Sequence, residues 1–92
     1  MTITVQYWAQ LRDAAGTTTE RISLEKPCSI RELVVQLAAS HGEQFRSLVL
    51  DKDGGPRPSI AVLVGDQMVR CNDPRLLQDG DAVALLSPIA GG

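Results

Sequence analysis

Residues 2–8, TITVQYW, alternate strictly, with Ile3, Val5 and Tyr7 on one face and Thr4, Gln6 and Trp8 on the other, the period-two pattern of a half-buried strand. The alternation breaks across AQLRDAAG at Gly16. It resumes in TTTERISLE with Ile22 and Leu24 facing inward, which predicts a hairpin whose loop is longer than a tight turn. The period then changes to 3.6: Ile30, Leu33, Val34, Leu37 and Ala38 form one apolar helical stripe. Pro27 and Ser29 announce its start, Glu32 stands three residues on to complete a capping box, and Cys28 and Leu33 fit the staple positions. Gly42, after His41, supplies a left-handed stop. Each large side chain of the stripe contributes about 1.5–3 kcal/mol only once it leaves water, so the helix has to lie on a sheet.

Beyond the helix come an apolar patch, FRSLVL, and a polar Gly/Pro loop, DKDGGPRP. SIAVLV reads as a third strand, GDQ as a turn and MVRC as a short fourth strand; NDPRLLQDGD reads as turn, short helical turn, turn. Asp79-Gly80-Asp81 launches the final strand, AVALL, and SPIAGG follows. The order is two strands, one helix, three strands: an α+β chain forming a single domain over residues 1–92, with 87–92 a flexible C-terminal tail.

Two strands carry more apolar residues than one sheet face needs. Ile60, Val62 and Val64 form the inward set of the third strand, yet Ala61 and Leu63 are apolar too; in the last strand Val83 and Leu85 point inward while Ala84 and Leu86 point outward. One helix covers one face, so the outward set is expected to await another chain unless a loop such as residues 45–58 folds over it. Leu63, Leu86, Ala61 and Ala84 are therefore the expected partner-docking residues.

Composition narrows the function more by exclusion. At 43% hydrophobic and 22% charged the chain is of ordinary globular make-up. Net charge is −2 and the nine Lys and Arg are scattered, which argues against nucleic acid as a partner. No stretch approaches the roughly 20 apolar residues that cross a bilayer and no leader is evident, so no membrane role and a cytoplasmic location are expected. Cys28 and Cys71 match no zinc or redox spacing and read as small, at least half-buried hydrophobes; His41 alone makes no metal site. Asp79 and Asp81 read as turn-formers, and DGGPRP precedes a strand where phosphate loops precede helices. No catalytic constellation is legible, so any reaction has to be completed by a partner.

The element order, together with YWAQLRDAAG, SIRELVVQLA, LLQDGDAVALL and the SPIAGG terminus, resembles the ubiquitin-like MoaD/ThiS sulfur-carrier family, to which molybdopterin synthase small subunits belong. Ser87 stands where that family often has the first of two prolines, and Leu85 and Leu86 where it commonly has aromatics; the terminal glycines are untouched. The resemblance implies a β-grasp fold, a mixed sheet of about five strands curled around one main helix. It implies a non-catalytic carrier whose Gly92 carboxylate is adenylated with ATP by a separate enzyme and converted, with a sulfur donor acting through that enzyme, into a thiocarboxylate. The tail then enters the large subunit of molybdopterin synthase and gives its sulfur to cyclic pyranopterin monophosphate in molybdenum cofactor synthesis. Alternatives are a carrier for thiazole or cysteine synthesis, a modifier also joined to protein lysines, or a non-catalytic interaction module. No bound cofactor and no metal are expected.

Terminal Gly-Gly suits that chemistry. A carboxylate has to be activated inside a partner's site, and residues without a β-carbon pass a narrow entry most easily. Six residues after Leu86 reach roughly 20 Å at about 3.3 Å each. Pro88 would stiffen the base of the tail, Ile89 offers an apolar anchor, and Ala90 and Gly91 lead to Gly92, the residue expected to carry sulfur.

Overall fold

The computed structural model describes residues 1–87. Strands β1 (Thr2–Trp8) and β2 (Thr19–Ser23) form the antiparallel hairpin, with Ile3 opposite Ile22 and Val5 opposite Glu20. Strand β3 (Ala61–Val64) turns through Gly65 and Asp66 into β4 (Gln67–Val69), and Gly65 takes the positive φ, 64°, that this two-residue turn requires. The last strand, β5 (Ala82–Leu86), inserts between the two hairpins, parallel to β1 and antiparallel to β3, giving the order β2-β1-β5-β3-β4. This is the mixed sheet of a ubiquitin-like β-grasp fold. Its centre is built from the two ends of the chain, so the position at which β5 stops sets where the C-terminal segment leaves.

The main helix, α2 (Ile30–His41), lies across the inner face and buries Ile30, Leu33, Val34, Leu37 and Ala38. Its capping box is complete: the Glu32 N–H donates to Ser29 Oγ at 3.1 Å and the Ser29 N–H donates to Glu32 Oε1 at 2.9 Å. Against this stripe the sheet sets Ile3, Val5, Tyr7, Val62, Val83 and Leu85, all buried.

Two further helices occupy stretches that read as loop or patch. α1 (Gln10–Ala15) fills the β1–β2 connection; Leu11 is its buried anchor and Gly16, at φ 78°, closes it by donating to the Arg12 carbonyl. α3 (Glu43–Val49) follows α2 directly and buries Phe45 and Val49. Gly42 is therefore a corner between two helices, at φ 91° and ψ −174°, and not a left-handed stop before a loop. The helical turn expected within 72–81 is absent; turns and one isolated bridge, Ser29 to Leu76, hold that stretch instead. β3 begins two residues later than SIAVLV suggested, and β4 covers 67–69 instead of 68–71.

Candidate docking face and root of the tail

The expected docking residues share one face. Leu86 is flanked by Trp8 on β1 and Ala61 on β3, while Ala84 is flanked by Gln6 and Leu63; Met68 on β4 lies opposite Leu63. Two rows result, Trp8–Leu86–Ala61 and Gln6–Ala84–Leu63–Met68, on the sheet surface that faces away from α2. Trp8 is 48% exposed and Met68 69%, Leu86, Leu63 and Ala61 are half-buried, and Ala84, a methyl between larger neighbours, retains only 9%. The helical part of segment 45–58 does not fold over these rows: Phe45 and Val49 enter the core on the opposite side. Pro56 and Pro58 stand at the margin of the face, where with Ala61, Met68, Arg70 and Cys71 they line an open groove of about 680 Å³.

Trp8 was legible only as the end of an outward, otherwise polar set. Its membership of the apolar rows follows from the parallel β1–β5 register, which strand alternation cannot supply. An aromatic side chain on the polar side of a strand was the available signal.

The DGD turn fixes this register. Asp79 Oδ1 accepts from the Thr2 N–H at 2.7 Å, the Gly80 N–H donates to the Thr2 carbonyl at 2.8 Å, and Asp81 Oδ2 accepts from the Gln78 N–H at 2.8 Å. The Thr4 N–H then donates to the Asp81 carbonyl, so β5 starts opposite Thr4 and ends with Leu86 beside Trp8. Both carboxylates are engaged as turn-formers. Ser87, the first residue of the expected tail, is only 7% exposed and belongs to the folded body. Pro88, Ile89, Ala90, Gly91 and Gly92 lie outside the described residues.

A polar cluster on the opposite side of the sheet ties the hairpin to the end of α2. Tyr7 Oη donates to Glu20 Oε1 at 2.6 Å, and His41 Nε2 lies 2.7 Å from the same oxygen and 3.2 Å from Tyr7 Oη. Phe45 packs edge-on to the Tyr7 ring with centroids 5.5 Å apart. Burial, reinforced by Glu20, pushes the Tyr7 phenol far above its ordinary range. Burial also pushes Glu20 up, but the hydrogen bonds from Tyr7 and His41 and the attraction of His41 outweigh it and leave the carboxyl below its usual value. No buried side-chain polar atom among the described residues lacks a partner, and the cluster reads as a clamp. Cys28 and Cys71 are half-buried free thiols, both pushed up by burial, and so are poor thiolates for sulfur chemistry. Among the described residues no group of three or more His, Cys, Asp or Glu could hold a metal ion, and no helix is long and apolar enough to cross a membrane.

The sequence pattern of the ThiS family matches residues 5–92, nearly the whole chain and its terminal glycines. The chain belongs to the ThiS family. This ThiS-family chain is 29% identical, over 92 residues and the full length of both proteins, to the molybdopterin synthase sulfur carrier subunit of Chlamydomonas reinhardtii. It superposes on SAMP1 from Haloferax volcanii with a TM-score of 0.84 at 24% identity, each chain fully covered, a likeness of fold. A Pyrococcus furiosus protein assigned as molybdopterin converting factor, subunit 1, gives 0.74 at 27% identity, covering 97% of this ThiS-family chain and 99% of its own.

Proposed function

We propose that this chain is the sulfur carrier of a molybdopterin synthase, acting in the cytoplasm. The family match that runs through Gly91 and Gly92 carries the reading, and the name of the algal relative supports its assignment to molybdopterin synthesis. In this cycle a carboxylate oxygen of Gly92 attacks the α-phosphorus of ATP in a separate adenylating enzyme and pyrophosphate leaves. Sulfur at the sulfide level, brought by a donor acting through that enzyme, then replaces AMP on the carbonyl carbon to give the thiocarboxylate. The loaded tail enters the large subunit of the synthase, which supplies the catalytic residues, and its sulfur passes to cyclic pyranopterin monophosphate. ATP belongs to the adenylating partner.

The chain's own contribution is mechanical. β5 is the central strand of the sheet, paired on both sides, so the tail follows directly on a strand fixed by both hairpins. The apolar rows around Leu86 offer a surface against which either partner can seat the carrier before the tail enters. The test is reconstitution: the carrier, its adenylating enzyme, ATP and a sulfur donor are incubated, and the product is added to the large subunit with the pterin precursor. Molybdopterin formation that depends on Gly91 and Gly92 is the expected result. Formation that survives their deletion, or none with intact loaded carrier, contradicts the proposal.

A further inference from the structure

Among the described residues the sheet has two open edges, β2 and β4, and their outward-facing groups differ in what they can pair with. Gly65 and Asp66 form a two-residue turn closed by the pair Val64–Gln67, so by the antiparallel alternation Val64–Gln67 and Val62–Val69 exchange the ladder hydrogen bonds. The Gly65 N–H donates to Ala82 on the other side, as that alternation requires. The N–H and C=O of Met68 therefore point to the open edge, and its side chain, 69% exposed, lies on the outer face with those of Leu63 and Ala61.

The sequence around Met68 is DQMVR, and it is self-complementary about its centre. An antiparallel two-fold pairing of β4 with β4 of a second copy sets Met68 against Met68, where the two residues can exchange both hydrogen bonds. It also brings Arg70 of each copy level with Asp66 of the other, on the same face as the methionines. Asp66 and Arg70 are free for this, because the ion pairs among the described residues are Arg12–Asp13, His41–Glu20 and Arg75–Asp73. The Arg70 carbonyl already accepts from the Asp73 N–H, so the new ladder is limited to the Met68 pair and the contact is small.

The other edge disfavours the same arrangement. Ile3 and Val5 face β2, since the Thr4 N–H is directed the other way, at the carbonyl of Asp81 just before β5, so Ile22 and Glu20 bond to β1 and Arg21 faces out. Two-fold pairing of β2 centred there would set Arg21 against Arg21, and like charges directly opposite are destabilising.

We propose that the free carrier self-associates reversibly, edge to edge through β4, with a second copy of this chain as the occupant and two Asp66–Arg70 ion pairs setting the register. The resulting ten-stranded sheet leaves the Trp8–Leu86 end of each outer face open, so pairing does not compete with seating of the tail root. This rests on edge geometry and charge, independently of the sulfur-carrier reading.

Sedimentation velocity from about 10 µM to about 1 mM, the range in which contacts of this size associate, tests it. The wild type should pass from monomer to dimer. Asp66→Arg and Arg70→Asp, each turning two attractions into repulsions, should weaken dimerisation by about tenfold or more, and the double exchange should restore it. Met68→Pro, which removes the outward N–H, should abolish it. All of these positions are exposed, and circular dichroism checks that each variant is folded. A wild type that stays monomeric to 1 mM, a dimer indifferent to the single reversals, or a charge exchange that fails to restore pairing would each overturn the proposal. So would a dimer lost only in Leu63→Asp, which would place self-association on the apolar face.

Discussion

Trp8 stands directly beside Leu86 across the parallel ladder between β1 and β5. The chain's single tryptophan thus marks the strand pair from which the C-terminal segment departs. A partner that seats the tail root on this face has to cover it. With Trp8 replaced biosynthetically by 5-fluorotryptophan, binding of the synthase large subunit should shift its fluorine resonance and lower its solvent accessibility. An unchanged resonance at saturation would place the contact elsewhere.

The same geometry makes Leu63→Asp and Leu86→Asp informative. Each introduces a charge on the outer face beside Ala84 or Ala61, away from the core under α2. The monomer should remain folded, and affinity for the adenylating enzyme or the large subunit should fall by about 1–3 kcal/mol per substitution, as for residues near an interface centre. Calorimetric titration of the double variant decides this; wild-type affinity for both partners would refute the docking face.

Ala9 joins β1 to α1 at φ 55° and ψ −128°, a conformation that residues with a β-carbon rarely adopt. Ala9→Gly should relieve strain and stabilise the fold by about 1 kcal/mol, net of the added freedom of the unfolded chain. Urea denaturation measures it, and a loss of stability would show that the junction is not strained.

The Tyr7–Glu20–His41 clamp gives stability a pH dependence at both ends. Glu20 is held below its usual value, so its contribution is present above the unfolded carboxylate range, near pH 4.3, and fades as pH falls through the lower folded value. Tyr7 is held above its usual value, so its contribution is complete below about pH 10 and is lost as pH climbs beyond that. Glu20→Ala should cost about 1 kcal/mol near neutrality, the scale of a partly exposed hydrogen-bonded group, and the difference from wild type should shrink toward pH 3. Chemical denaturation across pH supplies both curves; a difference that grows on acidification would reverse the assigned sign.

Elements that declared themselves by period were readable from the residues: the β1 alternation, the α2 stripe with its capping box, and the doubled apolar faces of β3 and β5. α1 and α3 were not, for a physical reason. Each is two turns or less, α1 offers one large anchor in Leu11, and α3 spaces Phe45, Leu48 and Val49 helically but over too short a run to separate from a buried loop. The apolar rows were half legible: alternation places Leu63 and Leu86 outward, but adding Trp8 and Met68 needs the pairing of strands far apart in the chain. The His41 clamp stayed hidden for the same reason, since Tyr7, Glu20 and His41 come from three elements.

The central claim is that the chain carries sulfur on its last residue. Intact-mass spectrometry after incubation with the adenylating enzyme, ATP and a sulfur donor tests it most directly. The expected product has one carboxylate oxygen replaced by sulfur, located by fragmentation at Gly92, with loading sharply reduced in Gly92→Ala although that variant folds normally. An unchanged mass when a known carrier is loaded under the same conditions, or sulfur found on Cys28 or Cys71, would contradict the account.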